Sequence, residues 1–168
     1  MQNKTELRTK FKELRKTLDI KIKSHIILEK IKLSEIYSNA QNVMLFYPTK
    51  YEVDLLDLRF GDKKIYFPKV DGENLLVCPD NNDFIKSDFN ILEPTSEAVD
   101  PNILDLVIVP ALAVDKNHYR LGYGGGYYDR FLAKYSKIKT LTPIFKESII
   151  DELPKNSYDI KIDYIFSD

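Results

Sequence analysis

The chain has 168 residues, 43% hydrophobic and 30% charged, which predicts one globular domain over residues 1–168 with a substantial core. A formal net charge of -1 excludes a global field that would draw the protein onto nucleic acid or an acidic membrane, so any anion site must be a local cluster. A single cysteine, Cys78, excludes an internal disulfide, and with only two histidines a zinc centre is not expected.

The first two predicted elements are amphipathic helices. Apolar residues recur at spacings of four, three and four from Leu7 to Leu18, which predicts a helix that docks through one face. Asn3 and Glu6 have the spacing of a capping box at its start. Asp19 is the expected cap of the second helix, whose isoleucines and leucines again recur at helical spacing.

Further along, predicted strands alternate with predicted helices. Apolar runs bounded by turn residues predict strands in 42–49, 63–70, 74–80, 103–114, 137–145 and 160–168. Helical patterns occur in 52–60 and 127–136, and the polar residues 80–102 predict an ordered excursion across the surface. Residues 103–114 have too few polar positions for a strand wetted on one face, which predicts a central strand. The pattern indicates an open, mostly parallel α/β sheet with ligands at the carboxyl ends of its strands.

Four of the six glycines lie between Gly122 and Gly126, in the string RLGYGGGYYDRFL. Glycine permits positive φ and lets main-chain N–H groups converge on a ligand oxygen, and the helix that follows adds the partial positive charge of its N-terminus. The string matches neither the Walker motif nor the dinucleotide fingerprint. From the residues alone, a phosphate cradle and a tight packing turn both remain open.

Basic residues supply a second indication of an anion site. Arg120, beside the loop, can pair bidentately with phosphate oxygens. Lys4, Arg8, Lys12 and Arg15 share one face of the first helix and border the apolar stripe that docks it. Such a face either reaches into a cleft or is simply solvated, and the second interpretation is the more common one.

Acidic residues also occur at positions suited to a site. Asp129, in the first turn of the helix after the loop, is either a Mg²⁺ ligand or a helix cap. Asp159 and Asp163 precede the last strand as further ligands or as turn residues. Glu52 follows an apolar strand, where a carboxylate either accepts hydrogen bonds from a heterocycle or lies on the surface.

The string from Val109 to Leu132, VPALAVDKNHYRLGYGGGYYDRFL, resembles the signature of the 5-formyltetrahydrofolate cyclo-ligase family, also called methenyltetrahydrofolate synthetases. Shorter strings resemble other motifs of that family in the same order: KTELR at 4–8, YPTKYEVD at 47–54, ILEP at 91–94 and LPKNSYDIKID at 153–163. The resemblance therefore covers essentially the whole chain, from Lys4 to Asp163.

The resemblance implies an enzyme that closes a ring at the expense of ATP. 5-Formyltetrahydrofolate and ATP would give 5,10-methenyltetrahydrofolate, ADP and phosphate, with Mg²⁺ as cofactor. In the family's mechanism the formyl oxygen attacks the γ-phosphate to give an iminium phosphate, N10 attacks the formyl carbon, and phosphate leaves. The implied fold is a three-layer α/β sheet similar to the ribose-phosphate isomerase and CoA-transferase group.

The resemblance also implies roles for individual residues. Catalysis is assigned to Arg120 and Tyr127, and Mg²⁺ to Asp129 and Asp159. The ATP-binding residues are Lys4, Thr5, Glu6, Leu7, Arg8, Arg120, Leu121, Gly122, Tyr123, Gly124, Gly125, Gly126, Tyr127 and Tyr128. The folate-binding residues are Glu52, Tyr123, Gly124, Gly125, Gly126 and Tyr127.

At four positions the chain departs from the family pattern. Ala111 and His118 stand where the family often has glycine, Val114 where it often has phenylalanine, and Ser148 where a glutamine is expected. We interpret His118 as a turn residue able to adopt the left-handed region.

Three alternative functions remain: a single-stranded RNA-binding module, an inactive relative that stores folate, and a phosphosugar isomerase of similar fold. As a cyclo-ligase, the protein is expected to be a soluble, cytoplasmic monomer. Its partners would be a reduced folate and ATP, with no nucleic-acid or membrane partner.

Overall fold

The computed structural model describes residues 2–168 as a mixed α/β fold. The helices are α1 (Lys4–Arg15), α2 (Ile20–Lys32), α3 (Glu35–Asn39) and α4 (Tyr127–Lys134). The strands are β1 (Asn42–Met44), β2 (Lys64–Asp71), β3 (Asn74–Pro79), β4 (Phe84–Lys86), β5 (Leu92–Pro94), β6 (Leu106–Ile108), β7 (Ala113–Asp115), β8 (Arg120–Leu121), β9 (Lys139–Ile144), β10 (Ile149–Ile150) and β11 (Tyr164–Ser167). Within residues 2–168, no helix has the length and apolarity that spanning a membrane requires.

The central sheet has six strands in the order β11-β9-β6-β1-β2-β3. Every neighbouring pair is parallel except β2 and β3, which form an antiparallel hairpin at one edge. In the middle of the sheet, Val43 pairs with Leu106 on one side and with Ile65 on the other. The prediction of a mostly parallel α/β sheet is confirmed.

Side chains that alternate along the strands divide the core into two clusters, one on each face of the sheet. In β6, Leu106 and Ile108 pack in the cluster that contains the apolar residues of α2 and α3. Val107, between them, packs in the cluster that contains Phe131 and Leu132 of α4. Because successive strand residues point to opposite faces, the buried sheet needs helices on both sides, which gives three layers.

The apolar run 103–114 does not form one strand, as the sequence predicted. Only β6 lies in the central sheet, while β7 belongs to a separate three-stranded sheet with the order β10-β7-β8. Pro110 lies between the two strands and lacks the N–H that a continuous central strand would need. All residues of β6 and β7 are nonetheless buried. The prediction that this segment is covered on both of its faces is therefore correct for each of the two strands.

Two other segments differ from their predictions. The predicted helix over 52–60 is wrong for its first half, because only a 3-10 helix at Leu56–Phe60 forms. The excursion 80–102 contains a short antiparallel hairpin, β4 with β5, which its polar composition did not indicate. In each case apolar contacts with the sheet determine the local structure, since Leu58 and Phe84 both pack against the cluster beside α2.

Helix α1 docks on the smaller sheet. The Asn3 side chain accepts the N–H of Glu6, and the Glu6 side chain accepts the N–H of Asn3, which confirms the capping box. Leu7 and Phe11 are buried in a cluster with residues of β7 and β8. This packing brings the polar border of α1 next to the glycine-rich segment that follows β8.

The Asp105 carboxylate holds together the starts of β1 and β6. Oδ2 accepts the backbone N–H groups of Gln41 and Asn42 at 2.9 and 2.8 Å. Burial alone would raise the pKa of Asp105, but these hydrogen bonds outweigh it and lower that pKa. Because the pKa of Asp105 is lower in the folded protein than in the unfolded chain, the ionised carboxylate stabilises the fold at pH values above the unfolded-state pKa. This stabilisation is lost as the pH falls through the folded-state pKa.

Asp105→Asn should therefore reduce the free energy of unfolding near neutral pH. The difference in this free energy between the variant and the wild type should disappear as the pH falls below an aspartate's ordinary pKa of about 3.9. Urea unfolding of both proteins across this pH range measures the difference. A difference that stayed constant into acid would show that the charge of Asp105 does not contribute.

Candidate active site

One cavity of about 530 Å³ opens beyond the carboxyl ends of the central strands. Phe46 and Tyr47 follow β1, and Pro110 follows β6, and all three line it. Of the residues assigned from the sequence, the cavity is lined by Lys4, Arg8, Glu52, every residue from Arg120 to Asp129, and Asp159. Segments from both ends of the chain and from its middle therefore meet at the edge of the sheet where a ligand was expected.

In the glycine loop, residues 122–126, two glycines have a backbone conformation that favours glycine, and at three of them an added Cβ would displace a neighbouring side chain. Gly124 has a φ of +113°, and Gly126 has a φ of +69° as the N-terminal cap of α4. A Cβ on Gly125 would lie 2.7 Å from the Tyr127 ring, and one on Gly122 would lie 2.5 Å from an Arg120 nitrogen. The bare backbone lets Arg120 and Tyr127 fold back over the loop, so these glycines serve packing as well as the cavity wall.

Two basic residues of α1 are directed into the cavity. Lys4 Nζ lies 2.6 Å from Asp159 Oδ2, and Arg8 Nε donates to the Gly122 carbonyl at 2.9 Å. Lys12 is exposed, with its Nζ 5.8 Å from the centre of the Tyr123 ring. The basic face of α1 is thus not a uniformly solvated surface.

Arg120 is the most deeply placed cation that lines the cavity, with 9% of its surface exposed. Its terminal nitrogen lies 3.1 Å from Asp129 Oδ2, and its Nε has no hydrogen-bond partner among residues 2–168. Burial lowers the pKa of Arg120, while the charges of Asp129 and Asp159 act in the opposite direction. A guanidinium remains charged in proteins, so Arg120 places a positive charge at the cavity wall.

The two carboxylates assigned to Mg²⁺ are linked to each other through the backbone. Asp129 Oδ1 accepts the N–H of Ile160, the residue after Asp159, at 3.1 Å. Asp159 Oδ2 also accepts the N–H of Asn156 at 2.7 Å. Asp163 lies apart from them, because its Oδ2 accepts both the N–H and the hydroxyl of Thr140.

The chemistry of this pair fits magnesium. Among residues 2–168, no group of three or more His, Cys, Asp or Glu residues could hold a metal ion. Mg²⁺, however, is usually bound by one or two carboxylates together with substrate phosphates and water. Asp129 and Asp159 supply such a pair of hard oxygen donors beside the cationic groups of the cavity.

Glu52 is buried, with 7% of its surface exposed, and is not a surface carboxylate. Its Oε2 accepts the N–H of Thr49 at 2.7 Å, which fixes it in the turn that follows β1. The Tyr127 hydroxyl donates to the Gly72 carbonyl at 3.3 Å, and its ring lies 6.0 Å from that of Phe89. The polar anchor and the aromatic wall therefore lie in the same cavity.

Sequence patterns did not indicate most of the apolar lining. These residues are Phe46, Tyr47, Pro68, Val70, Leu75, Phe89 and Ile91. Phe89 and Ile91 belong to the polar excursion, where apolar residues within a polar segment were the sequence signal that could have indicated a ligand surface. The other five lie on or beside strands, where apolar residues are expected for packing alone.

Comparison with known proteins identifies the family. A sequence model of the 5-formyltetrahydrofolate cyclo-ligase family matches residues 1–168. The chain belongs to this family.

Individual cyclo-ligases and a solved structure agree with the family match. The chain is 26% identical over 169 residues to 5-formyltetrahydrofolate cyclo-ligase of Mus musculus, covering 84% of this chain and 80% of the relative. It is 30% identical over 131 residues to that of Mycoplasma genitalium, covering 74% and 71%. The NMR structure of 5,10-methenyltetrahydrofolate synthetase from Aquifex aeolicus superposes with a TM-score of 0.84 at 31% identity, covering 97% of this chain and 88% of that one.

Three residues assigned to ATP by resemblance to the cyclo-ligases do not line the cavity. Thr5 is exposed, Glu6 completes the cap of α1, and Leu7 is buried under the smaller sheet. Helical geometry explains this, because Lys4 and Arg8 lie one turn apart on one face while the residues between them point elsewhere. Contact of Thr5, Glu6 and Leu7 with ATP stays a prediction.

Two departures from the cyclo-ligase pattern have a clear structural setting. His118 has a φ of +67°, which confirms its interpretation as a turn residue, and its Nδ1 lies 2.8 Å from the Ile162 carbonyl. Ala111 is buried and has no positive φ in the described structure, and its carbonyl accepts a hydrogen bond from Arg15. Neither departure removes a residue from the cavity.

Gly124→Ala tests how far the loop depends on its backbone. An added Cβ would lie 3.5 Å from the Arg8 guanidinium, an ordinary contact, so the cost comes from the positive φ. We expect a loss of about 1–3 kcal/mol in the free energy of unfolding, measured by urea denaturation.

The matched control is Gly61→Ala, since Gly61 has a negative φ and an added Cβ there would meet only the Leu58 carbonyl, at 3.6 Å. It should change stability by no more than about 0.5 kcal/mol. Equal losses in the two variants would contradict a special backbone requirement at Gly124.

Proposed function

We propose that this protein catalyses the ATP-dependent cyclisation of 5-formyltetrahydrofolate to 5,10-methenyltetrahydrofolate, with release of ADP and phosphate. The observation that carries the proposal is that Arg120–Asp129, the glycine-rich part of the family's long signature, lines one cavity with two cations of α1. The same cavity is lined by four carboxylates, Glu52, Glu93, Asp129 and Asp159.

The chemical problem is a poor leaving group. The formyl oxygen is an amide oxygen, and attack of that oxygen on the γ-phosphorus of ATP breaks the bond to the β-phosphate oxygen and releases ADP. The resulting iminium phosphate carries an oxygen that can leave as phosphate. N10 then attacks the formyl carbon, and expulsion of phosphate with loss of the N10 proton completes the methenyl bridge.

Phosphoryl transfer of this kind requires positioning and charge neutralisation more than covalent participation. Lys4, Arg8 and Arg120 supply positive charge at the cavity wall for the phosphate oxygens. The positive end of α4, with Gly126 at its cap, adds backbone N–H groups beside the loop. These groups are held before ATP binds, because each is already fixed by packing or hydrogen bonds.

The other end of the cavity suits a reduced pterin. Its wall is apolar and aromatic, which favours a flat ring, and Glu52 places one buried carboxylate among these side chains. A carboxylate accepts paired hydrogen bonds from the amino and ring N–H groups of a pterin. Glu52 would thus fix the ring so that the formyl group points toward the phosphate end.

Asp129 and Asp159 would hold Mg²⁺, which supplies charge neutralisation to the phosphates when it is bound with ATP. Both side chains already face cations, so the pairs Arg120 with Asp129 and Lys4 with Asp159 keep the carboxylates in place. The charge of Arg120 and Lys4 is then shared between these carboxylates and the incoming phosphates.

Three further expectations accompany this function. The near-neutral net charge supports small-molecule partners, a reduced folate and ATP, without a nucleic-acid partner. The free, buried Cys78 supports a reducing compartment such as the cytoplasm. Tyr127 remains the second residue assigned to catalysis, although its hydroxyl donates to Gly72 and is not free.

The direct test is absorbance at the methenyl band after the protein is mixed with 5-formyltetrahydrofolate, Mg²⁺ and ATP. We expect a rise that is absent when ATP is omitted. A folded protein that binds both substrates without turnover would instead be an inactive folate-binding relative. Retention of RNA and not of ATP would indicate the RNA-binding module.

Arg120→Leu should lower kcat by about 100-fold or more, because it removes a preorganised cation from the transferring phosphoryl group. The matched control is Arg59→Leu, which breaks a partly buried pair with Asp80, at 2.7 Å, outside the cavity. Both variants should lose stability, but only Arg120→Leu should lose turnover. Comparable turnover in the two variants would contradict the role of Arg120.

Asp159→Asn and Asp129→Asn should each raise the Mg²⁺ concentration needed for half-maximal activity by about tenfold, since each removes a charged oxygen donor. Titration of Mg²⁺ at fixed ATP measures the shift. Asp80→Asn, which alters a carboxylate outside the cavity, should leave the midpoint unchanged. An unshifted midpoint in both site variants would remove them from the metal site.

A further inference from the structure

Arg15 is an unusual residue to find buried on a surface helix. It lies on α1, one position after Leu14, and only 2% of its surface is exposed. A buried charge is costly unless it is paired and hydrogen-bonded. Among residues 2–168, however, no carboxylate forms a salt bridge with Arg15, and its Nε has no hydrogen-bond partner.

The partners of Arg15 are two neutral oxygens in functional segments. One terminal nitrogen donates to the Tyr123 hydroxyl at 2.9 Å, and the other donates to the Ala111 carbonyl. The guanidinium also lies 5.7 Å from the centre of the Phe145 ring. Arg15 therefore joins α1, the connection after β6 and the glycine loop at one point behind the cavity wall.

The Glu52 carboxylate lines the same cavity as Tyr123. Tyr123 is 43% exposed as a residue, but its hydroxyl accepts a hydrogen bond from buried Arg15, and Glu52 is buried as well. Burial raises the pKa of Tyr123, the Glu52 carboxylate adds to the rise, and Arg15 opposes it. The hydroxyl therefore keeps its proton at neutral pH.

Hydrogen-bond chemistry then determines where that proton points. A guanidinium only donates, so the Tyr123 oxygen accepts from Arg15, and a hydroxyl has just one proton to give. A carboxylate only accepts, so the Tyr123 proton remains available to one, and Glu52 is the carboxylate whose charge raises the pKa of Tyr123. Glu52 Oε2 accepts the N–H of Thr49, and its remaining lone pairs are available to the Tyr123 hydroxyl and to a ligand.

We propose that Arg15 is a positioning residue, which orients the Tyr123 hydroxyl toward Glu52 and so presets the carboxylate that receives the pterin. This inference rests on the proposed function, because it assigns Glu52 to the folate end of the cavity. Arg15 does not line the cavity itself and acts only through Tyr123.

The test is a double-mutant cycle with Arg15→Met and Tyr123→Phe. Methionine keeps much of the apolar packing of the arginine stem, and phenylalanine keeps the ring. Each single variant should raise KM for 5-formyltetrahydrofolate by about tenfold, with KM for ATP changed by less than about twofold, since the lost hydrogen bonds support one carboxylate. The double variant should be no worse than either single variant, because both remove the same link.

Two further variants separate positioning from stability. Arg15→Lys keeps the charge but cannot reach both oxygens, and it should also raise KM for folate more than KM for ATP. Phe11→Leu, a buried substitution on the same helix, should lower the melting temperature and leave both KM values unchanged. The contradicting result would be that the Arg15 variants lose stability as Phe11→Leu does, while the ratio of KM for folate to KM for ATP stays that of the wild type. In that case the role of Arg15 is structural and the inference is wrong.

The outcome also distinguishes this inference from the proposed function. A wild-type protein without ATP-dependent ring closure would overturn both. An active wild type with additive effects of Arg15→Met and Tyr123→Phe, or with equal changes in the two KM values, would overturn the positioning role alone.

Discussion

The hydrogen bond from Arg8 Nε to the Gly122 carbonyl joins segments 114 residues apart, and the rest of the site depends on this junction. It forms because the apolar stripe of α1 docks on the smaller sheet, which carries the glycine loop at the end of β8. Once α1 is docked there, Lys4 reaches Asp159 and Arg15 reaches Tyr123. A packing interaction thus determines where the charged groups of the cavity lie.

Charge around the cavity is balanced within the protein before any substrate binds. Arg120 with Asp129 and Lys4 with Asp159 are partly buried pairs, and a lone member of either pair would be costly to bury. The Nε of Arg120 is buried without a hydrogen-bond partner among residues 2–168, so the ion pair with Asp129 leaves one donor of this guanidinium unsatisfied.

The glycine loop shows why composition alone was ambiguous. Positive φ at Gly124 and Gly126 and close side-chain approach at Gly122 and Gly125 satisfy the packing interpretation. The same residues line the cavity, so the phosphate interpretation is equally compatible with the geometry. The two interpretations are compatible, because the tight packing is what brings bare backbone to the cavity wall.

Local patterns in the sequence determined much of this protein. The spacing of Leu7 and Phe11 determined α1, and the capping box determined where it starts. The alternation of apolar strand patterns with helical patterns determined the mostly parallel sheet. The long signature around the glycine loop also identified the family before any coordinates. Tertiary structure alone decided that residues 103–114 divide between two sheets and that Phe89 turns toward the cavity. It also decided that Arg15 is buried behind Tyr123, because periodicity indicates which face a residue occupies and not what distant segment covers that face.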